Sequence, residues 1–221
     1  MAGDDGIVDG VANTTRSKAR RQGIAPVGAP VADEIYGATL QLMARKEFGD
    51  LSVADVLAEA GVSRASFYYY FESKFGVLSG LLSRAMDDIF EKVSPFLIPS
   101  DGTDAERALE TSIAAVADAW RRHRLVLRAT SRHWHEDAEL RERWLAIVER
   151  FVAAGALEID RERSEGMVSS EVDSRLLATS LFWGTERVLH VAGLGVEPEL
   201  PDESAAVAPL VAMWTGALYG R

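Results

Sequence analysis

The chain has 221 residues, of which 48% are hydrophobic, so it can build one large domain or a small domain joined to a larger one. It contains no cysteine, which excludes disulfides, thiolate metal sites and a cysteine nucleophile. Its net charge of −10 argues against a nucleic-acid partner unless basic residues are concentrated locally.

Residues 1–30 show no sustained apolar period and include Pro26 and Pro30, which predicts a flexible arm. The first ten residues carry acids where a secretory signal has positive charge. No run of about eighteen apolar residues occurs along the chain, so no membrane span is expected. Together with the lack of cysteine, these features favour a cytoplasmic protein.

The arm carries four basic residues against three acidic ones; the basic residues are Arg16, Lys18, Arg20 and Arg21. A flexible basic arm can follow DNA phosphates or enter the minor groove. A solvated tail explains the same residues equally well, so both interpretations stay open.

From residue 31 onward, apolar residues recur with the helical period, and no alternating β pattern of useful length interrupts them. Capping residues, glycines and prolines divide this part of the chain into segments. The segments predicted to be helical are 31–43, 53–60, 63–71, 74–93, 104–123, 125–134, 137–165, 171–193 and 203–219. The predicted fold class is all-α, with about nine helices.

Two of the short segments are sharply delimited. Ser52 followed by Asp55 is a variant of the capping box, and Gly61 can adopt the positive φ that ends a helix. Ser63 provides a second N-cap only two residues later. Two short helices joined by a three-residue turn that contains glycine are typical of a helix-turn-helix.

The second short helix has a polar side and an apolar side. Phe67 and Phe71 are four residues apart and are predicted to point into the core of the small domain. The residues predicted to be presented at its N-terminal end and exposed sides are Arg64, Ala65, Ser66, Tyr68 and Tyr69. Arginine can pair with guanine in the major groove, and hydroxyl groups can donate to phosphates. Three tyrosines stacked in a core is the alternative, but consecutive residues cannot all face one side of a helix.

The run Val62-Ser63-x-x-Ser66-Phe67-Tyr68-x-Tyr70-Phe71-x-Ser73-Lys74 resembles the signature of the TetR family of transcription regulators. Within that family, the segments IDRERSEG, LLATSLFWGTERVLH and MWTGALYG resemble the group of mycobacterial repressors that control activation of ethionamide. The resemblance covers roughly residues 31–220, and it implies an N-terminal three-helix DNA-binding domain followed by a helical bundle.

The family resemblance assigns roles in DNA binding. It implies that Tyr68, Tyr70 and Lys74 bind phosphates, and that Arg64 and Ser66 face bases. It further implies that Ser52 caps the supporting helix beside the DNA backbone. The complete predicted DNA-binding set of the helical part is Ser52, Ser63, Arg64, Ala65, Ser66, Tyr68, Tyr69, Tyr70 and Lys74.

All five tryptophans lie after residue 119, on the predicted C-terminal helices. One stripe there runs from large aromatic residues to alanine and glycine, which leaves room for an apolar ligand. The resemblance places the following residues on the wall of a cavity: Leu109, Val116, Trp120, Trp144, Val148, Phe151, Gly155, Phe182, Thr185 and Trp214. Related repressors carry asparagine at the positions of Phe182 and Thr185, so we predict a more apolar ligand. Simple core packing is the alternative for each aromatic residue.

The helices predicted at 171–193 and 203–219 carry apolar residues on more than one face. One such face can cover the core of the chain while another covers a partner subunit. Two helices from each subunit would form an isologous four-helix interface, so we predict a homodimer. A dimer is also what a palindromic operator with two half-sites requires.

No residue pattern points to catalysis, and no cofactor is expected. His133 and His135 point about 200° apart on a helix, so they cannot bind one metal ion together. No nucleophile-elbow, zinc-protease, Walker or dinucleotide-binding spacing occurs in the chain. An enzyme would need an acid and a base inside the cavity, and none is predicted there.

The sequence therefore predicts three regions: a flexible basic arm (1–30), a helix-turn-helix domain (31–75) and a ligand-binding and dimerisation domain (76–221). The predicted function is a repressor that binds double-stranded DNA and is released by a small hydrophobic effector. The alternative is a helical ligand-binding or scaffold protein without DNA binding, which the negative net charge favours slightly.

Overall fold

The structure, a computed structural model, describes residues 30–97 and 105–220. Over these ranges it contains nine α-helices, one short 3₁₀-helix and no β-strand, which confirms the predicted all-α class. The basic arm residues Arg16, Lys18, Arg20 and Arg21 lie outside the described part of the chain.

The helices follow the predicted segments closely. In chain order they are α1 (Pro30–Met43), α2 (Val53–Ala60), α3 (Arg64–Tyr70), α4 (Lys74–Leu97), α5 (Ala105–Arg122), α6 (Arg124–His133), α7 (Ala138–Ser164), α8 (Ser174–Leu194) and α9 (Val207–Tyr219). The 3₁₀-helix (Phe48–Asp50) lies between α1 and α2.

Three helix ends differ from the prediction by three residues or more. Helix α4 continues beyond residue 93 to Leu97. Helix α8 begins at Ser174 rather than at residue 171, because the Asp173 side chain caps it by accepting a hydrogen bond from the Leu176 amide. Helix α9 begins at Val207 rather than at residue 203, because Asp202 Oδ1 accepts from the amide of Ala205 and holds a turn there.

The described residues form two compact units. Among the described residues, the first unit comprises 30–83 and Arg132–Trp144. Helix α1 packs against α2 and α3, and Ile35 and Phe67 are completely buried. The rings of Tyr36 and Phe71 meet edge to face with their centroids 5.2 Å apart. The apolar stripe of α1 therefore provides the core surface on which the two short helices rest.

The second unit comprises Arg84–Ser131 and Leu145–Arg221, of which 84–97, 105–131 and 145–220 are described. Helices α5, α8 and α9 pack against one another in it. Arg124 Nε donates to Glu203 Oε1 at 2.7 Å, and a second guanidinium nitrogen contacts Glu203 Oε2. Because the Glu203 side chain is buried, this two-pronged ion pair is needed to satisfy its charge. It fastens the turn before α9 to the start of α6.

The boundary between the two compact units differs from the predicted domain boundary. The predicted boundary, between residues 75 and 76, separates the DNA-binding domain from the ligand-binding and dimerisation domain, and it stays a prediction. The compact units instead change between Ser83 and Arg84, within α4. Helix α4 thus contributes residues to both units.

Candidate functional site

The turn between α2 and α3 is fixed by two side-chain caps and one glycine. Ser52 Oγ accepts from the Asp55 amide at 3.2 Å, and Asp55 Oδ2 accepts from the Ser52 amide at 2.7 Å, which completes the predicted capping box. Hydrogen bonds from the side chain and the backbone of Ser52 lower the pKa of Asp55 to about 2. Gly61 ends α2 with a φ of 64°, and Ser63 Oγ accepts from the Ser66 amide at the start of α3.

Helix α3 buries one side and presents the other. Phe67 and Phe71 are buried, as predicted, while Val62 is half-buried. Tyr68 and Tyr69 keep 39% and 55% of their surface exposed, so the tyrosines do not form a core stack. Arg64 and Ala65 are also exposed, and Ser66 and Tyr70 are half-buried. The polar residues predicted to meet DNA therefore lie on the accessible side of α3.

The exposed side of α3 carries hydrogen-bond donors at its N-terminal end. The Arg64 guanidinium carbon lies 5.4 Å from the centroid of the Tyr68 ring, which is a cation–π distance. The hydroxyls of Ser63 and Ser66 are 2.8 Å apart, so one of them donates to the other. This group can offer a guanidinium to a guanine edge and a phenol to a phosphate.

The Lys74 side chain forms hydrogen bonds within the chain. Its ammonium donates to three backbone carbonyls, those of Phe48 at 3.1 Å, Gly49 at 2.7 Å and Leu51 at 2.7 Å. Partial burial lowers the pKa of Lys74, which is the direction expected for a cation removed from water. These bonds use the three ammonium hydrogens within the chain, and phosphate binding by Lys74 stays a prediction. Lys74 ties the 3₁₀-helix to the start of α4.

A largely enclosed apolar cavity lies in the second unit, with a volume of about 90 Å³. Eight of the ten residues predicted to line it do so: Leu109, Val116, Trp120, Phe151, Gly155, Phe182, Thr185 and Trp214. The indole Nε1 of Trp214 donates to Thr185 Oγ1 at 2.9 Å, so the Thr185 hydroxyl is already engaged within the wall.

Trp144 and Val148, the other two residues predicted to line the cavity, are not part of its wall. They lie on the same stripe of α7 as Phe151, but closer to the start of the helix. Because a helix rises about 1.5 Å per residue, Trp144 lies roughly 10 Å before Phe151 along the axis. Trp144 and Val148 are both buried, Trp144 in the first unit and Val148 in the second.

Several residues of the wall were missed by sequence reasoning. They are Met86, Ile89, Val93, Ser112, Ile113, Ile159, Ala178 and Glu186. The helical period gave a usable signal for some of them, since Ser112 and Ile113 lie one turn before Val116, and Ile159 lies one turn after Gly155. Glu186 directly follows Thr185, and nothing in its sequence context distinguishes it from a surface glutamate.

Glu186 and Ser112 are the polar exceptions in an apolar wall. The Glu186 carboxyl is buried and accepts one hydrogen bond from Ser131 Oγ at 3.2 Å. Burial raises the pKa of Glu186, against weaker opposing effects of Arg187 and Ser131. The Ser112 hydroxyl is buried and has no hydrogen-bond partner among the described residues. A buried hydroxyl without a hydrogen-bond partner is uncommon in folded proteins.

The raised pKa of Glu186 predicts how stability depends on pH. Above the ordinary pKa of 4.5, the unfolded chain releases this proton while the folded chain retains it, so stability falls as the pH rises through that window. Glu186→Gln removes this loss. We expect the melting temperature of the variant to exceed that of the unaltered chain at pH 8, and the difference to shrink towards pH 4.5.

The matched control for this measurement is Glu110→Gln, which removes a carboxylate from an exposed position on α5. Differential scanning calorimetry of the three proteins from pH 4.5 to pH 8 separates a burial effect from a change in net charge. A difference between Glu186→Gln and the unaltered chain that stays constant over this range would contradict a strained, buried carboxyl.

A wider concavity of about 660 Å³ runs along α7 and the segment before α8. It is an open groove whose wall includes the charged residues Asp160, Glu171 and Arg163. The Arg163 guanidinium donates to the carbonyls of Ser170 at 3.0 Å and Val172 at 2.8 Å, which holds that segment in place. The enclosed apolar cavity is therefore the better candidate for a small-molecule site.

His133, which was considered as a metal ligand, contacts neighbouring side chains. His133 ends α6, its Nδ1 lies 2.9 Å from Glu136 Oε2, and its ring lies 5.7 Å from that of Phe48. Over residues 30–97 and 105–220, no group of three or more His, Asp or Glu side chains is placed to hold a metal ion.

The comparisons with known proteins match both parts of the chain. Residues 35–80 match the family described as "Bacterial regulatory proteins, tetR family", and residues 109–220 match "Transcriptional regulator EthR, C-terminal domain". The HTH-type transcriptional regulator EthR of Mycobacterium tuberculosis is 31% identical over 180 residues, which cover 81% of this chain and 83% of that protein. The chain belongs to the TetR family. The HTH-type transcriptional regulator EthR of Mycolicibacterium smegmatis is 29% identical to this chain over 212 residues, which cover 95% of each chain.

Solved structures share the fold of this chain. The fatty acid degradation regulator FadR from Bacillus halodurans superposes with a TM-score of 0.71 at 21% identity, over 87% of this chain and 98% of that chain. GusR from Salmonella enterica superposes with a TM-score of 0.68 at 19% identity, over 87% and 97% of the respective chains.

Family membership establishes the class of function. TetR-family proteins are DNA-binding transcription regulators and not enzymes, and they typically act as dimers. This chain is therefore a TetR-family transcription regulator near the EthR group, as the sequence predicted. In the part of the chain that is described, no helix combines the length and hydropathy needed to cross a membrane.

Proposed function

We propose that this TetR-family regulator is a homodimeric repressor that binds a palindromic operator through two copies of α3. A small, mainly apolar effector occupies the cavity of the second unit and releases the repressor from DNA. The observation that carries this proposal is the two-sided character of α3, which has a buried phenylalanine side and an exposed side bearing Arg64 and Tyr68.

The size of the cavity supports release by a population shift. Sites for drug-sized ligands usually measure roughly 300–1,000 Å³, whereas this cavity measures about 90 Å³. A larger effector must therefore move the helices that form the wall. Met86 and Ile89 of α4 belong to that wall, and the same helix begins at Lys74, directly after the DNA-reading segment. An effector that favours a displaced α4 selects a conformation with lower DNA affinity.

The surfaces of α8 and α9 support a dimer. Helix α9 exposes the small residues Ala208, Pro209, Ala212 and Gly216, and Leu176 on α8 keeps 60% of its surface exposed. Small residues allow two helices to approach closely, and an exposed leucine gains from being covered. We propose that these faces meet their symmetry mates in an isologous interface.

Placing a charge in this interface tests the proposed dimer. Ala212→Glu puts two carboxylates near the two-fold axis, and we expect the dimer dissociation constant to rise at least about 100-fold through desolvation and repulsion. Sedimentation velocity measures this change, with Ala114→Glu on the exposed side of α5 as the matched control. A variant that remains dimeric at the same concentrations as the control contradicts the α8 and α9 interface.

The experiment that tests the proposed function is a mobility-shift titration with the DNA upstream of the protein's own gene. We expect a discrete complex at nanomolar protein, which unrelated DNA of equal length does not compete away. Absence of any sequence-preferring complex would favour the alternative, a helical ligand-binding protein without DNA binding. That alternative draws its support from the net charge of −10.

A further inference from the structure

The cavity wall contains a buried acid that the apolar effector of the proposed function does not explain. The Glu186 side chain on α8 is only 4% exposed, and Ser112 on α5 is 3% exposed. Both residues line the same cavity. The rest of the wall consists mainly of aliphatic and aromatic side chains, so Glu186 and Ser112 are two of its few polar residues.

The hydrogen-bonding capacity of the pair is largely unused. An ionised carboxylate has acceptor sites for several hydrogen bonds, yet Glu186 receives one of 3.2 Å from Ser131. Its nearest cation is Arg187, whose guanidinium nitrogen is 3.9 Å from Oε2 and whose side chain is 62% exposed to solvent. The Ser112 hydroxyl has no partner within the described residues. The wall thus offers a carboxyl group without a close counter-ion and a hydroxyl without a hydrogen bond.

We propose that the cavity is built for an apolar molecule that carries one basic amine, whose ammonium group donates to Glu186 and Ser112. This inference rests on the proposed effector site and names its ligand class. An ammonium group has several N–H donors and no acceptor, which matches a carboxylate and a hydroxyl on one wall. An alkane would leave both groups unpaired, and a carboxylic acid would place a second acid beside Glu186. The direction of the Glu186 pKa agrees with a site that lacks its counter-ion when empty.

A matched set of small probes tests the ligand class. Hexylamine, hexan-1-ol and hexanoic acid share one apolar chain and differ in the head group. Isothermal titration calorimetry measures their binding, and the fluorescence of Trp120 and Trp214 on the wall provides a second readout. We expect hexylamine to bind at least about tenfold more tightly than hexan-1-ol, and hexanoic acid to bind more weakly than both.

The variants Glu186→Gln and Ser112→Ala assign that preference to the two residues. Glu186→Gln should reduce hexylamine affinity at least about tenfold while changing hexan-1-ol affinity less than about threefold. Ser112→Ala should give a smaller loss for the amine. Unchanged hexan-1-ol binding also shows that each variant still folds around its cavity. Equal binding of hexylamine and hexan-1-ol to the unaltered chain, or an amine preference that survives Glu186→Gln, overturns the inference.

The result is separable from that of the proposed function. The inference fails when the amine is not preferred, whatever happens to DNA binding. The proposed repressor mechanism fails when a probe that fills the cavity, as calorimetry shows, leaves the mobility-shift titration unchanged.

Discussion

Replacing Arg64 by alanine together with Tyr68 by phenylalanine is expected to weaken binding to the upstream DNA by at least about 100-fold, because each lost base or phosphate contact is worth roughly 1–3 kcal/mol and a dimer loses it twice. Both side chains are exposed, and neither supports the core beneath α3. The tyrosine-to-phenylalanine change keeps the ring and removes only the hydroxyl. The melting temperature should therefore stay within about 2 °C of that of the unaltered chain, as for most surface substitutions.

The control for this double variant is Arg121→Ala, which removes an exposed arginine from α5. This substitution removes one positive charge, as the double variant does. Arg121 belongs to the second unit and not to the helix-turn-helix segment. Mobility-shift titrations of the three proteins at one salt concentration give the comparison. If the double variant keeps its affinity for the upstream DNA, α3 is not the helix that reads the bases. If Arg121→Ala loses as much DNA affinity as the double variant, the loss comes from the change in net charge and not from contacts of α3.

The elements that the sequence predicted well are those set by local chemistry. The capping box at Ser52, the left-handed Gly61 and the cap at Ser63 each depend on residues within three positions of one another. The buried side of α3 follows in the same way, because the spacing of Phe67 and Phe71 is the helical repeat. The positions of the nine helices over the described residues could then be predicted from the helical period of apolar residues and from the capping residues, glycines and prolines between them.

The features that sequence reasoning could not foresee concern groups whose environment is made by distant parts of the chain. Lys74 matches a family position for phosphate binding, but its ammonium is claimed by carbonyls more than twenty residues earlier. Trp144 follows the correct stripe of α7, but no periodic pattern states how far along a helix a cavity extends. Glu186 looks like a surface residue in sequence, and its burial arises only when α8 packs against α5.

Gly80 of α4 packs directly against the Tyr36 side chain of α1, so a larger residue at this position is expected to destabilise the protein strongly. A Cβ atom there would lie 2.0 Å from the Tyr36 hydroxyl oxygen and 2.7 Å from the Cζ carbon of the same ring. Tyr36 is 3% exposed and meets Phe71 edge to face, so its ring has no free direction in which to move. We expect Gly80→Ala to destabilise the protein by about 3 kcal/mol, at the upper end of typical overpacking costs. In a chain of this size that lowers the melting temperature by roughly 6–12 °C.

Gly76→Ala on the same helix is the matched control, because its Cβ would meet nothing closer than 4.0 Å. Gly76 lies in the first turn of α4, where an alanine has room and lowers the conformational entropy of the unfolded chain, so this variant should melt at the same temperature or higher. Adding Tyr36→Phe to Gly80→Ala removes the contact at 2.0 Å but keeps the ring carbons, so it should restore only part of the stability. Because a displaced Tyr36 pushes on Phe71 at the end of α3, Gly80→Ala should also weaken DNA binding. Thermal melts that rank Gly80→Ala with Gly76→Ala would show that α1 and α4 do not meet as closely as described.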